Sequence, residues 1–198
     1  MAKFGKERFP ENYQSAVGMN ARSTLHENSK ELAKILKEYD VLEKNDKVFE
    51  MGSGPARNLH YIYKEFNTKY LNFYCSDLFK KSSLANMSPE IREIIHFFEG
   101  DSEDVAHNML MTDLKLLLVS DHFMHLQYDK ADSIIKRING SWKPEYIMLR
   151  ELKKEFETPE HPRLFHDYNQ FLENYELVHE RTSIQDNAYF IWLLKRKQ

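Results

Sequence analysis

Glu50, Gly52, Gly54 and Asp77 are the residues of this chain whose types and spacing most plainly point to chemistry. The glycines lie in Val48-Phe49-Glu50-Met51-Gly52-Ser53-Gly54-Pro55-Ala56-Arg57-Asn58-Leu59, where a short apolar run turns on glycine and then takes on helical spacing. A strand-to-helix turn of this kind lets backbone approach a polar ligand. Gly52 and Gly54 carry no side chain to obstruct contact, and the following helix aims its N–H groups inward. Asp77 closes the next apolar run 23 positions after Gly54, where the second strand of such a unit meets a ribose. The pattern is that of a nucleotide-like ligand.

Two common ligands of such turns fit poorly. A dinucleotide fingerprint needs a third glycine at position 57, where Arg57 would crowd a pyrophosphate, and no Gly-Lys-Ser/Thr follows Gly54 to make a phosphate-cradling loop. Glu50 is awkward beside a diphosphate but suits a ligand bearing positive charge, such as S-adenosylmethionine with its ammonium and sulfonium.

The run from Glu50 to Leu59 resembles the first motif of class I S-adenosylmethionine-dependent methyltransferases, with Ala56 in place of the third glycine. The resemblance extends over about 42–196. Ser76-Asp77-Leu78 is similar to the second motif, whose acid holds the ribose hydroxyls. Gly100-Asp101-Ser102-Glu103-Asp104 is similar to the third, where an Asp and its neighbour meet the adenine. Leu118-Val119-Ser120-Asp121-His122-Phe123-Met124-His125-Leu126 is similar to the fourth, which ends in a His-Leu pair. The resemblance implies S-adenosyl-L-methionine as cofactor, held by Glu50, Gly52, Ser53, Gly54, Asp77, Leu78, Asp101 and Ser102. It also implies a Rossmann-like, doubly wound α/β fold: a mostly parallel seven-stranded sheet, its C-terminal strand antiparallel and inserted between the fifth and sixth, with helices on both faces. Asp77 and Asp101 also have an ordinary reading, as solvated strand-end or helix-capping acids.

Methyl transfer from a sulfonium is an in-line displacement, so geometry can supply up to roughly 7–11 kcal/mol of the acceleration. A base matters when the acceptor must lose a proton. Asp121, His122 and His125, at the carboxyl end of the fourth strand, are the candidates, because that end faces the ligand in open α/β sheets. His125 reads equally well as a packing residue. Acceptor-side groups are expected from Arg150 and Glu151 after the fifth strand, from the loop 157–168 with His166 and Tyr168, and from an aromatic N-terminal arm with Phe9 and Tyr13. No metal is expected, since His122/His125 and His161/His166 lack further ligands in sequence. The leading reading is methyl transfer to O or N of a small-molecule acceptor. A non-catalytic binding or scaffold subunit on the same fold stays open, as does another adenosyl- or nicotinamide-cofactor enzyme.

These residues need a sheet to position them. Short apolar runs at 48–51, 71–75, 94–98, 114–119 and 146–149 read as strands covered on both faces. Helical patterns at 22–39, 56–66, 89–94, 103–109 and 129–138 alternate with them, which argues a parallel sheet. A helix over 166–174 precedes an antiparallel hairpin of 177–182 and 189–195. One domain is expected over 1–198, with 1–20 as an arm or lid and 21–198 as the α/β core; 41% hydrophobic residues suffice for a single core at this length. A net charge of -3 disfavours a nucleic-acid partner. The single cysteine, Cys75, precludes an internal disulfide and reads as a buried thiol. No signal-like start and no apolar stretch near the roughly 18 residues of a bilayer span appear, so a cytoplasmic protein without a membrane partner is expected.

Overall fold

The computed structural model describes residues 23–67, 70–157 and 163–198. The expected arm over 1–20, with Phe9 and Tyr13, lies outside them, as does part of the 157–168 loop, including His161. In chain order the elements are α1 (Ser23–Glu38), β1 (Lys47–Met51), α2 (Arg57–Phe66), β2 (Asn72–Asp77), α3 (Lys80–Ala85), α4 (Pro89–Arg92), β3 (His96–Glu99), α5 (Ser102–Asn108), β4 (Leu114–Ser120), α6 (Tyr128–Arg137), β5 (Tyr146–Leu152), β6 (Tyr175–Thr182) and β7 (Tyr189–Arg196). Short 3-10 turns lie at Phe123–His125 and Tyr168–Glu173.

The strands form one sheet in the order β3-β2-β1-β4-β5-β7-β6. Neighbours among β1 to β5 pair in parallel, and β7 runs antiparallel to both β5 and β6. Six strands therefore run one way and one the other. After β3 the chain crosses back to place β4 on the far side of β1, so the topological switch point, where open α/β sheets bind ligands, lies between β1 and β4. The register carries the strands to this edge nearly in step, with Met51 opposite Ser76 and Val119, Asp77 opposite Glu99, and Ser120 opposite Arg150.

Strand periodicity divides the core into two layers. Val48, Phe73, Leu116, Leu118 and Met148 pack against Leu32, Ile35 and Leu36 of α1 and Leu59 and Ile62 of α2. On the opposite face Phe49, Leu117, Ile147 and Leu149 pack against Val105 of α5 and Ala131, Ile134 and Ile135 of α6. Side chains this deeply buried contribute about 1.5–3 kcal/mol each relative to exposure.

The departures from expectation have physical causes. β5 runs three residues beyond the apolar 146–149 because Arg150 and Glu151, despite their charge, are buried and partnered. β3 is an edge strand with half-exposed phenylalanines rather than one covered on both faces. The 166–174 segment forms a 3-10 turn instead of an α-helix. Asp167 starts it by accepting the Asn169 N–H at 3.1 Å, and the three-residue repeat sends both Tyr168 and Phe171 into the core. The short α3 buries only Ser83 and so shows no apolar stripe in sequence. Among the described residues no helix is long and apolar enough to cross a membrane.

Candidate active site

The turn after β1 is built from alternating left-handed residues: Gly52 (φ +66°), Gly54 (φ +52°) and Ala56 (φ +52°). Ser53 donates its N–H to the Ser76 carbonyl at 2.9 Å, and Gly54 donates to Oδ2 of Asp77 at 2.9 Å. Asp77 also accepts the Phe79 N–H at 3.2 Å, so one carboxylate clamps the glycine turn to the loop after β2. Burial raises the Asp77 pKa, and these N–H bonds oppose it.

Glu50, 2% exposed, points to the α2 side of the sheet. Its Oε1 accepts from Asn58 Nδ2 at 2.6 Å, while Oε2 is buried without a hydrogen-bond partner. Burial pushes its carboxyl up to about 8. The network continues outward, since Ser29 donates to Asn58 Oδ1 at 2.6 Å and Arg57 Nε donates to the Leu25 carbonyl at 3.0 Å and Ser29 Oγ at 3.2 Å. Arg57 thus ties α2 to α1.

On the far side of the cleft Asp101 caps α5 by accepting the Glu103 N–H at 3.0 Å, and pairs with Lys130 at 3.1 Å. The next residue, Ser102, meets His122 Nε2 at 2.7 Å. The His122 ring lies directly over Gly52. A Cβ on Gly52 would overlap it, with Cε1 2.7 Å away and Nδ1 nearer still. Burial lowers the His122 pKa to about 4, against the pull of Asp101, so the imidazole is neutral at pH 7. Gly52 therefore leaves room for this ring on the side where a Cβ would lie.

The loop carrying His122 hangs from the end of β5. Asp121 sits at φ +56°, donates its N–H to the Arg150 carbonyl at 2.8 Å and pairs its carboxylate with the Arg150 guanidinium. That guanidinium lies 4.2 Å from the Tyr189 ring centroid. Burial raises the Asp121 pKa and Arg150 opposes it. Glu151 accepts the N–H groups of His122, Phe123 and Met124 at 2.8, 3.0 and 3.2 Å.

The structure brings Glu50, Gly52, Ser53, Gly54, Asp77, Leu78, Asp101, Ser102, Asp121, His122 and His125 around one cleft of about 1080 Å³, including its open mouth. It does not bring Arg150, His166 or Tyr168 to the lining. All three are buried, Arg150 against Asp121, and His166 and Tyr168 in an aromatic cluster with Tyr128 and Phe123. Tyr13 lies outside the described residues. Leu25, Asn58, Phe79 and Leu126 also line the cleft and were not foreseen as site residues. For Asn58 a signal exists: it stands eight residues after Glu50, at the second position of α2. Among the described residues no three His, Cys, Asp or Glu side chains stand together as a metal site.

No family profile and no curated protein sequence matches this chain. Solved structures do. An O-methyltransferase family protein from Burkholderia thailandensis superposes with a TM-score of 0.69 at 15% identity, over 98% of this chain. The chain spans 63% of the length of that protein. A SAM-dependent methyltransferase from Aquifex aeolicus gives 0.67 at 14% identity, over 96% of this chain and 100% of its own. The magnesium protoporphyrin IX methyltransferase of Synechocystis PCC 6803, with bound S-adenosylmethionine, gives 0.62 at 11% identity, over 88% of this chain and 80% of its own. The likeness is one of fold, and the chain has the class I S-adenosylmethionine-dependent methyltransferase fold.

Proposed function

We propose that the chain is an S-adenosylmethionine-dependent methyltransferase acting on O or N of a small molecule. The observation that carries this reading is Glu50 Oε2, a buried carboxyl oxygen with no hydrogen-bond partner at the wall of the cleft; the group holds its proton near neutral pH, and a cationic ligand beside it would favour the ionised form. Gly52, Ser53 and Gly54 would flank the amino-acid end of the cofactor, Asp77 the ribose, and Leu78, Asp101 and Ser102 the adenine. Asp77 lines the cleft at the end of β2, with its carboxylate oriented by the N–H groups of Gly54 and Phe79, where ribose hydroxyls would reach it. When bound, the cofactor supplies a methyl group activated on a sulfonium.

The chain itself contributes position and proton handling. His122 is neutral with Nε2 engaged by Ser102, Asp121 is held by Arg150, and His125 lines the cleft beside them, so a base for the acceptor would come from these three. The acidic lining, Asp77, Asp101 and Asp121 against Arg57, favours neutral or cationic acceptors over phosphates and carboxylates. A second reading, a non-catalytic adenosyl-binding subunit, draws on the His122 ring packed over Gly52. The test is calorimetric titration with S-adenosylhomocysteine of the wild type and of Asp77→Ala. Loss of charge-assisted ribose contacts, about 1.5–3 kcal/mol, weakens affinity about 10- to 150-fold; equal affinity would remove Asp77 from the site.

A further inference from the structure

Arg150 and Glu151 are consecutive charged residues at the end of a central strand, 1% and 0% exposed. The two-residue period of a strand sends them to opposite faces, yet both engage the same loop, the one leaving β4. Arg150 takes its first residue, Asp121. Glu151 takes the backbone of the next three: Oε1 accepts from His122 at 2.8 Å and Phe123 at 3.0 Å, and Oε2 accepts from Met124 at 3.2 Å. These are the N–H groups that a 3-10 turn beginning at Phe123 cannot satisfy within itself, and Phe123 and Met124 are cut off from water. Three successive N–H groups converging on one anion form a nest whose occupant is a side chain of the neighbouring strand.

We infer that Glu151 is a positioning residue: its carboxylate, as the anion, fixes the backbone of residues 122–124 and thereby sets where His122 and His125 stand in the cleft. The role for acceptor chemistry rests on the function proposed above; the anchoring itself does not. A carboxylate can receive all three N–H groups, whereas a protonated carboxyl turns one oxygen into a donor and forfeits part of the nest. The charged and titratable neighbours facing it are Asp121 from the loop and Tyr168 from the 3-10 turn at Tyr168–Glu173. Arg150, on the other face of β5, is committed to Asp121. Burial pushes Glu151 up to about 7, with Asp121 adding to it and the three N–H bonds opposing, so the anchor changes charge near neutral pH. The loop is firm above that value and loosens below it.

The experiment is NMR on the full chain without cofactor, from about pH 5.5 to 8.5, following the amide protons of His122, Phe123 and Met124 and the imidazole signals of His122 and His125. In the wild type the three amides move together with a midpoint near 7, and the imidazole signals carry the same transition. In Glu151→Gln that transition disappears at constant fold, and the three amides exchange with solvent at least about tenfold faster than in the wild type at pH 8. A purely structural carboxylate would lower global stability without moving the imidazole signals. The inference is overturned if the transition persists in Glu151→Gln, if the wild-type amides do not titrate in this window, or if they titrate while both imidazoles stay unmoved. Should the glutamine variant fail to fold, the wild-type titration still decides. Titration of the wild type with S-adenosylhomocysteine, run alongside, separates failure of this inference from failure of the proposed cofactor.

Discussion

Gly52→Ala tests whether the glycine serves the His122 ring. A left-handed φ of +66° costs an alanine about 1–2 kcal/mol, partly offset by about 0.4–1 kcal/mol from the stiffer unfolded chain. The added Cβ would overlap the imidazole, whose Cε1 lies 2.7 Å from its position. Overpacking of this kind costs about 1–3 kcal/mol, and a ring that swings aside gives up its 2.7 Å bond to Ser102, a further cost of about 0.5–1.5 kcal/mol. The total expected is about 2–5 kcal/mol, read from urea unfolding with an unchanged slope. In a His122→Ala background the overlap is gone, and Gly52→Ala should cost only about 1 kcal/mol, its backbone term. The coupling between the two sites is the decisive quantity. If Gly52→Ala costs the same in both backgrounds, the ring does not occupy the space the glycine leaves and the reasoning fails.

The remaining predictions concern buried charge. Glu50, at about 8 against an ordinary 4.5, keeps its proton in the folded protein where the unfolded chain has lost it, so its contribution to stability falls as pH rises between those values. Glu50→Gln retains the acceptor for Asn58 and should gain on the wild type by up to a few kcal/mol between pH 5 and 8.5; parallel unfolding curves would contradict this. His122 acts in the opposite sense, its stabilisation being lost as pH falls from 6.5 towards about 4, and His122→Ala should flatten that acid limb. Arg150→Met leaves Asp121 unpartnered and should cost about 3 kcal/mol, the low end for a buried pair because Asp121 keeps 31% exposure. Urea unfolding checks it, and a cost under about 1 kcal/mol would mean that the pair contributes little.

Much of the fold was legible because apolar runs and their helical spacers alternate without interruption from Val48 to Leu149. That the glycine turn, Asp77, Asp101 and Asp121 share one cleft is legible because parallel strands that end in step bring such positions to one edge. What escaped was decided by partners distant in sequence. Arg150 and Glu151 read in sequence as acceptor-side groups after the fifth strand, and only a loop 29 residues earlier makes them part of the interior. Tyr168 and His166 carry the chemistry of a substrate wall but share their segment with Phe171, and a three-residue repeat turns the segment inward. That Gly52 also makes room for the His122 ring is hidden in the sequence, because the ring comes from 70 positions away.

The central claim is the cofactor, and calorimetric titration of the purified wild type with S-adenosylmethionine, S-adenosylhomocysteine and NAD in parallel tests it most directly. The account predicts selective binding of the two adenosyl-sulfur ligands with dissociation constants on the order of micromolar, about −8 kcal/mol. Preference for NAD, or no binding of any of the three, would contradict it.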